Sequence, residues 1–481
     1  MIEERIQELA RDDSSRVAVR CKDRAVTFAG LAEARQALID RVGSCEGIRA
    51  VAILPDGVAP YLLHLHFFLG GGTLVPQSPA ITPDGLSAIV SRLRPGMVVT
   101  SPSLLPKYAE LDFGCPVLLA CEDPTSTEDV SWEWKEARPQ IGRGSETDVR
   151  VVLFTSGSTG SPKGVCLGRE ALEGAAKINV SILSLSRERR SLATVPLYDY
   201  YGLIQIYSHL LAGSELVIGE TPIFPASVLR QVERLGVTDL VGVPFGLRQI
   251  FRTAAETGDA SLGGLQVVTS SSEMVSPDIL RLIFEECPNA TAFDIYGLNE
   301  AGRASSTAIR RGQEENRSLG QPSPGVSITA GLSREEPGEI LIQGPNVMLG
   351  YLTDVTPDGR LLYEPCDLAR TGDLGFMDDE GNLHLTGRRD DLLNVHGDKI
   401  HPLEIESIVL ESSGVSDARA RVEAAAEPEL VLEVVPRDSD FDLSALRRLL
   451  RQRLPFHFVP RRIVPVEAIA RTELGSKMVR T

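Results

Sequence analysis

A glycine- and hydroxyl-rich segment at residues 155–164 constrains the fold of this 481-residue chain more than any other part of the sequence. It follows the β-branched run 151–154 and precedes a helix-like segment that begins near Arg169. Its three glycines let successive backbone N–H groups turn into one concavity, and its hydroxyls and Lys163 add further donors. The pattern predicts a loop that binds phosphate oxygens. The alternative, a flexible polar linker, accounts poorly for the strand before it.

The rest of the chain repeats one pattern, in which a short apolar run is followed by a turn of Gly, Ser or Pro and then by an amphipathic segment. The runs at residues 191–195 and 265–268 are examples. Strands that alternate with helices predict parallel sheets with both faces covered. We therefore expect an α/β fold.

The pattern changes after about residue 371. Residues 375–385 are typical of a β-hairpin, and an α+β segment follows, with helices at 402–411 and 443–453 and strands at 418–421 and 430–435. We place a domain boundary at Asp390. The expected architecture is a large N-terminal domain of layered sheets and helices, residues 1–389, and a small mobile α+β domain, residues 390–481.

The composition excludes several classes of partner. There are 49 Lys and Arg against 66 Asp and Glu, a formal net charge of -17, which argues against binding to nucleic acid or to an anionic membrane. The most apolar stretch, residues 61–75, is too short and too interrupted to span a bilayer, so we expect a buried helix there. The seven cysteines form no CxxC pair, and the N-terminus has no apolar signal core. These features predict a cytoplasmic protein with reduced thiols.

The order of residues in the loop differs from the P-loop of NTPases, because Lys163 follows Pro162 and precedes Gly164. It resembles instead the T-S-G-[ST]-T-G-x-P-K-G loop of the adenylate-forming superfamily, which includes acyl-CoA synthetases, luciferases and peptide-synthetase adenylation domains. Further motifs of that superfamily are matched in order. They are Tyr296-Gly-Leu-Asn-Glu300, Thr371-Gly-Asp373, Gly387-Arg-Arg-Asp390 and Arg471-Thr-Glu-Leu-Gly-Ser-Lys477.

The resemblance implies that the chain activates a carboxylic acid with ATP and Mg²⁺ and releases pyrophosphate. Lys163 and the loop hydroxyls would hold the β- and γ-phosphates, Glu300 would bind Mg²⁺, and Lys477 would contact both the carboxylate and the α-phosphate. The C-terminal domain would pivot at Asp390 between two half-reactions. The residues implied to bind ATP or AMP, including an adenine-stacking Tyr and a ribose-binding Asp and Arg, are Thr155, Ser156, Gly157, Ser158, Thr159, Gly160, Lys163, Tyr296, Asn299, Glu300, Asp373 and Arg388.

Three positions depart from the superfamily pattern. Asn299 stands where Thr is usual, although its amide can still donate a hydrogen bond to phosphate. Ser271 and Ser272 stand where many relatives carry two glycines, which predicts a tighter wall beside the adenine or the acid. Ser476 lengthens the loop before Lys477, which is the only lysine after residue 399.

The segment Pro196–Leu203 resembles the P-x-[FY]-H-x-x-G-[LM] segment of acyl- and aryl-CoA ligases, with Asp199 at the His position. Amino-acid-activating relatives have an Asp in this segment that pairs with the substrate ammonium group, and a buried carboxylate needs such a partner. We expect Asp199, Tyr200 and Ser271 to line the acid pocket, and Asp199 to bind an amine or a ring N–H. The alternative is an Asp that neighbouring backbone or Tyr hydroxyls satisfy.

The acyl acceptor stays open at this point. A thiol, of CoA or of carrier-protein pantetheine, is commonest in the superfamily, whereas amide-forming relatives that act on amino or N-heteroaromatic acids use an amine. Residues 447–480 carry nine basic and two acidic side chains, which suits CoA phosphates or an acidic carrier, although such a run is as often a solvated face. A non-catalytic adenylate-binding module is a third interpretation. The intact set of Lys163, Glu300, Asp373 and Lys477 argues against it.

Overall fold

The computed structural model describes residues 1–122, 130–135, 141, 148–155, 163–315, 318–389, 393–395, 398–410, 412, 414–423, 429–437 and 441–470. Helices and strands alternate through most of these ranges, which confirms the predicted α/β class. The α-helices found there are α1 (Ile2–Asp12), α2 (Phe28–Val42), α3 (Val58–Gly70), α4 (Pro83–Leu93), α5 (Arg169–Leu183), α6 (Tyr200–Ala212), α7 (Pro225–Leu235), α8 (Pro244–Thr257), α9 (Pro277–Glu286), α10 (Pro402–Leu410) and α11 (Leu443–Arg453).

The strands are short. In chain order they are β1 (Val17–Cys21), β2 (Arg24–Thr27), β3 (Arg49–Ile53), β4 (Thr73–Gln77), β5 (Met97–Thr100), β6 (Val117–Cys121), β7 (Ser131–Trp134), β8 (Val149–Thr155), β9 (Lys163–Gly168), β10 (Arg190–Ala193), β11 (Glu215–Ile218), β12 (Asp239–Gly242), β13 (Val267–Ser270), β14 (Thr291–Leu298), β15 (Gly302–Ile309), β16 (Ser327–Thr329), β17 (Gly338–Gln343), β18 (Gly350–Val355), β19 (Leu361–Pro365), β20 (Ala369–Met377), β21 (Leu383–Arg388), β22 (Leu393–Val395), β23 (Asp398–Ile400), β24 (Val415–Glu423), β25 (Glu429–Pro436) and β26 (Arg462–Pro465).

The chain divides into two compact units. Unit 1 comprises residues 1–316, 322–327 and 342–369, and unit 2 comprises residues 317–321, 328–341 and 370–481. The large unit is N-terminal, as the sequence predicts. The domain boundary and hinge at Asp390 fall on a residue outside the described ranges and stay a prediction.

Two large sheets form unit 1. In the described part of the chain, one has the strand order β15-β14-β13-β12-β10-β11-β1-β2 and the other has the order β19-β18-β9-β8-β4-β3-β5-β6-β7. The interior strands of the first sheet run parallel, and antiparallel strands close its edges, as in the pairs β14–β15 and β1–β2. Parallel strands need helical crossovers, so their faces become covered and their sequences read as continuous apolar runs.

One core joins these two sheets. It contains apolar side chains of β3 and β4 from one sheet and of β1 and β11 from the other, together with side chains of α2, α3, α5 and α6. Helix α3 is buried nearly all round, which confirms the buried helix predicted for the apolar stretch. The last residues of that stretch, 73–75, belong instead to strand β4.

Unit 2 contains smaller sheets. Its strands form the orders β16-β17-β20-β21, β22-β23 and β24-β25-β26 in the portion that is described. The predicted hairpin is present as β20 and β21, and the predicted C-terminal helices and strands correspond to α10, β24, β25 and α11. A separate core of apolar side chains from these last elements supports an α+β unit with its own interior. Across both units, no described helix combines the length and the apolar character that crossing a membrane requires.

Gly202 is expected to be essential for the position of α6. A Cβ at residue 202 would lie 1.9 Å from the carbonyl oxygen of Pro196, which is backbone and cannot move aside. We expect Gly202→Ala to lower the free energy of unfolding by about 3 kcal/mol or more, as for other overpacked sites. Chemical denaturation measures this. Gly264→Ala is the matched control because a Cβ there would meet nothing within 4 Å; equal losses in both variants would contradict the explanation.

Candidate active site

The predicted phosphate loop is the connection of a β-hairpin. Strands β8 and β9 are antiparallel, and Thr155 lies opposite Lys163 where the loop begins and ends. The Thr155 hydroxyl donates to the carbonyl oxygen of Lys163 at 3.5 Å. The sequence predicted a helix directly after the loop, but strand β9 comes first and helix α5 begins only after it. The loop residues Ser156, Gly157, Ser158, Thr159 and Gly160 lie outside the described residues.

Tyr351 brings two predicted phosphate-site residues together. The Lys163 ammonium nitrogen lies 5.4 Å from the centroid of the Tyr351 ring, within the range of a cation–π contact. The Tyr351 hydroxyl donates to the Glu300 carboxylate at 2.8 Å. Strand β18 pairs with β9 with Tyr351 opposite Val165, which places the ring beside the start of β9. Lys163 and Glu300, 137 positions apart, thus contact the same side chain.

The turn between β14 and β15 carries the motif Tyr296–Glu300. In the strand register Gly297 is opposite Arg303, and a Cβ at Gly297 would lie 2.2 Å from the carbonyl oxygen of Gly302. Only glycine allows this approach. The Tyr296 side chain is 8% exposed, whereas Asn299 and Glu300 are partly exposed in the turn. The turn therefore presents the amide and the carboxylate outward from a tightly closed hairpin.

The predicted acid-pocket residues lie where α6 begins and where β13 ends. Asp199 is the N-cap residue of α6, but its side chain accepts no capping hydrogen bond from the helix. The Tyr200 side chain packs against the hairpin, since a Cβ at Gly302 would lie 2.3 Å from its hydroxyl oxygen. The Ser271 hydroxyl donates to the carbonyl oxygen of Ile295 at 3.1 Å. Asp199 and Tyr200 are adjacent at the helix start, and Ser271 is tied to the strand that carries Tyr296.

A second carboxylate, that of Asp56, lies close to Asp199. Asp56 follows β3 and accepts a hydrogen bond from the backbone N–H of Leu197 at 2.8 Å. Desolvation, together with the neighbouring charge of Asp56, raises the pKa of Asp199 to about 6. Desolvation also raises the pKa of Asp56 to about 6, even though its side chain keeps solvent access at the edge of the site. Two carboxylates with raised pKa values form a site that favours a cation or a proton.

Asp373 and Arg388, both in unit 2, form an ion pair. They are opposite each other on β20 and β21, and an Arg388 guanidinium nitrogen lies 3.1 Å from an Asp373 carboxylate oxygen. The Thr371 hydroxyl accepts a hydrogen bond from the Asp373 N–H at 3.0 Å and donates to the Ile340 carbonyl at 2.8 Å. The two residues predicted to hold ribose are thus neighbours. Lys477 and Asp390 lie outside the described residues.

Comparison with known proteins identifies the family. A model of the AMP-binding enzyme family matches residues 6–352. The chain belongs to this family of AMP-binding enzymes. This confirms the predicted adenylate-forming superfamily, within which curated relatives are CoA ligases. The matched region covers the whole of the first large sheet and the second sheet up to β18, where it ends one residue after Tyr351; β19 lies outside it.

Individual relatives of this AMP-binding enzyme are distant. The indoleacetate–CoA ligase of Aromatoleum aromaticum is 29% identical over 349 residues, which cover 70% of this chain and 66% of the relative, slightly less than two thirds of its length. ATP-bound MatB from Rhodopseudomonas palustris superposes with a TM-score of 0.81 at 24% identity over 99% of this chain and 97% of that chain. The amide bond synthetase McbA from Marinactinospora thermotolerans gives 0.81 at 23% identity, with the same coverage. At these identities the solved structures establish the fold.

Sequence reasoning missed two residues of the site. Asp56 follows the buried strand β3 in a Leu-Pro-Asp-Gly turn, and an acidic residue at the end of a parallel strand was the available signal. Tyr351 had no local signal, because only the pairing of β18 with β9 places it between Lys163 and Glu300.

Asp199→Asn should change how stability depends on pH. A carboxyl whose pKa is raised in the folded state stabilises the fold fully below its unfolded pKa, and this contribution is lost as the pH rises through about 6. We therefore expect the variant to be more stable than the unchanged protein above pH 6, by about 2 kcal/mol, with a flatter profile between about pH 4 and 7. Thermal unfolding across this range measures the effect.

The control for this prediction is Asp40→Asn, which changes an exposed carboxylate on α2. A double variant with Asp56→Asn should gain less than the sum of the single changes, because either change removes the mutual repulsion. A profile for Asp199→Asn that follows that of Asp40→Asn would contradict the assignment.

Proposed function

We propose that this chain is an AMP-forming ligase that activates a carboxylic acid with ATP and then transfers the acyl group to a thiol. In the first step the carboxylate oxygen attacks the α-phosphorus, and pyrophosphate leaves to give an acyl adenylate. In the second step the sulfur of CoA or of carrier-protein pantetheine attacks the acyl carbonyl, and AMP leaves. The observation that carries the proposal is the convergence of Lys163 and Glu300 on Tyr351, at the base of the phosphate loop.

The residues of this cluster suit a triphosphate and its metal ion. Lys163 supplies a point charge for the β- and γ-phosphates, next to the loop donors from Thr155 to Gly160. Glu300 supplies one carboxylate, and Mg²⁺ in nucleotide sites is ordinarily held by one or two carboxylates together with phosphate oxygens. The hydrogen bond from Tyr351 orients the Glu300 carboxylate. Mg²⁺ held at Glu300 would supply positive charge that neutralises the phosphates.

Two anions must meet in the first step, so neutralising their charge and positioning them are the main tasks of the protein. We assign Lys477 to the contact with both the carboxylate and the α-phosphate. Tyr296 and Asn299 would contact adenine and phosphate, and the Asp373 carboxylate, oriented by Arg388, would accept hydrogen bonds from the ribose hydroxyls. Movement of the C-terminal domain, residues 390–481, about Asp390 would then exchange the two half-reactions.

One observation favours a second candidate function, in which the acid carries an amine or a ring N–H and the acceptor is an amine. The paired carboxylates of Asp56 and Asp199 would stabilise an ammonium group or a ring N–H beside the acid pocket. This fits an amide-forming ligase that acts on an amino or N-heteroaromatic acid and passes its acyl group to an amine.

The cationic last turn of α11, where Arg451 is exposed, fits instead the phosphates of CoA or an acidic carrier protein. Because all seven cysteines are free, we propose a cytoplasmic location.

Acid-dependent exchange of labelled pyrophosphate into ATP tests the first step. We expect exchange with members of a panel of aryl, alkyl and amino acids, and we expect Lys477→Ala to reduce its rate about a hundredfold or more. Adding CoA or an amine to the active acid then identifies the acceptor by its product. Exchange with no acid would favour a non-catalytic adenylate-binding module, and release of ADP instead of AMP would indicate a kinase.

Tyr351→Phe tests the geometry of the ATP site. The variant keeps the ring beside Lys163 but loses the hydrogen bond to the Glu300 carboxylate, so we expect the KM for ATP to rise about tenfold at limiting Mg²⁺ and less at saturating Mg²⁺. Initial exchange rates across a Mg²⁺ series measure this. Tyr363→Phe, on the neighbouring strand β19, is the matched control. An unchanged Mg²⁺ dependence in Tyr351→Phe would remove Glu300 from the metal site.

A further inference from the structure

Arg303 is a buried guanidinium that has no counter-ion among the described residues. Its side chain is 5% exposed, and its Nε and Nη1 atoms make no hydrogen bond within the described part of the chain. Burial lowers the pKa of Arg303 to about 10, an effect that Tyr201 partly opposes. The group therefore remains a cation at neutral pH. An unpaired buried charge is costly, so proteins seldom retain one without a ligand or a functional reason.

The groups around Arg303 include two tyrosine hydroxyls and one carboxylate that a backbone N–H already engages. Tyr201, which interacts electrostatically with Arg303, donates its hydroxyl hydrogen to Thr269 at 2.8 Å. The Tyr200 hydroxyl, packed against the residue before Arg303, is buried and makes no hydrogen bond within the described residues. The nearby carboxylate of Asp294 accepts a hydrogen bond from the backbone N–H of Val275 at 3.0 Å. A ligand that brings a negative charge would complete this arrangement.

The position of Arg303 is set by the same hairpin that carries Glu300. The register shifts between Tyr296 and Gly297, so that Ser305 is opposite Tyr296 while Arg303 is opposite Gly297. The extra residue in β15 is a β-bulge, and it moves the Arg303 side chain to the opposite face of the sheet from the one it would occupy in a regular ladder. The side chain consequently lies next to the start of α6, beside the predicted acid-pocket residues.

We propose that Arg303 binds a second anionic group of the acid substrate, and that this substrate is a dicarboxylic acid. One carboxylate would be adenylated, and the other would remain unreacted in an ion pair with the Arg303 guanidinium. Arginine suits this task because its planar fork binds a carboxylate through two parallel hydrogen bonds. The inference rests on the proposed function and refines it by naming the substrate class.

The test compares dicarboxylic acids with their half-esters in the pyrophosphate exchange assay. In the methyl half-esters the carbon chain between the two carboxyl carbons is unchanged, so each pair differs by one negative charge and one methyl group. We expect the unchanged protein to prefer the free diacids by about tenfold to a hundredfold in kcat/KM, the range of a charge-assisted contact. In Arg303→Met the KM for diacids should rise until this preference is lost, with the KM for ATP unchanged. Arg303→Lys should restore part of the preference.

Stability measurements separate recognition from a structural role. Because Arg303→Met removes an unpaired buried charge, the ligand-free variant should melt at the same temperature as the unchanged protein or higher. A diacid, without ATP, should raise the melting temperature of the unchanged protein but not that of Arg303→Met. Arg310→Met, at the exposed end of the same hairpin, is the matched control and should keep both responses.

The outcomes distinguish this inference from the proposed function. Exchange that is supported by monoacids alone, or a diacid preference that survives in Arg303→Met, would overturn the inference while leaving acid activation in place. A loss of stability in Arg303→Met with no diacid response in the unchanged protein would also overturn it. No exchange with any acid, together with an Arg303-dependent diacid stabilisation, would support the anion site and contradict the proposed ligase activity.

Discussion

The close approach of two backbones in the β14–β15 hairpin is the constraint on which the site of unit 1 depends. Gly297 leaves no room for a side chain against the carbonyl oxygen of Gly302, so the strands close tightly and the turn projects Glu300. The N–H of Met348 donates to the Glu300 carbonyl at 2.8 Å, which ties the turn to the segment before β18. Tyr200 packs against the other side of the hairpin. One rigid turn therefore sets the distances among the residues proposed to serve ATP, the metal ion and the acid.

The net charge of the whole chain is negative, whereas the side chains proposed to bind anions are positive. A formal net charge of -17 would repel a nucleotide, yet Lys163 and Arg303 are placed where anions are proposed to bind. Lys163 is exposed and rests on an aromatic face, so it can move to meet phosphate, whereas Arg303 is buried and already positioned. Asp56 and Asp199 form the converse feature. Desolvation raises the pKa of both carboxyls, and the charge of Asp56 adds to the effect at Asp199, so the charged forms are disfavoured.

Much of the fold could be predicted because the signals are local. Apolar runs, turn residues and helical periodicity located β8, β13, α5, α10 and α11 to within a few residues. The strand β9 escaped prediction because its first residues, 163 and 164, belong to the loop motif, and one of its two partners, β18, lies almost two hundred residues away. Contiguous motifs identified Thr155, Glu300 and Asp373 for the same reason that they missed Tyr351, since a motif records neighbours in sequence and not across a sheet.

The sequence by itself determined the α/β class, the family and the chemical types of the residues that we propose bind the nucleotide, because each depends on residues that are consecutive or regularly spaced. Only the tertiary structure decided which of these side chains share a partner. It placed Tyr351 between Lys163 and Glu300, Asp56 beside Asp199, and Arg303 in an interior where no described residue provides a counter-ion. These relations arise from strand register and from burial. Both are properties of the packed sheets, where a buried charge is unfavourable because it loses its hydration. Neither can be read from the order of residues along the chain.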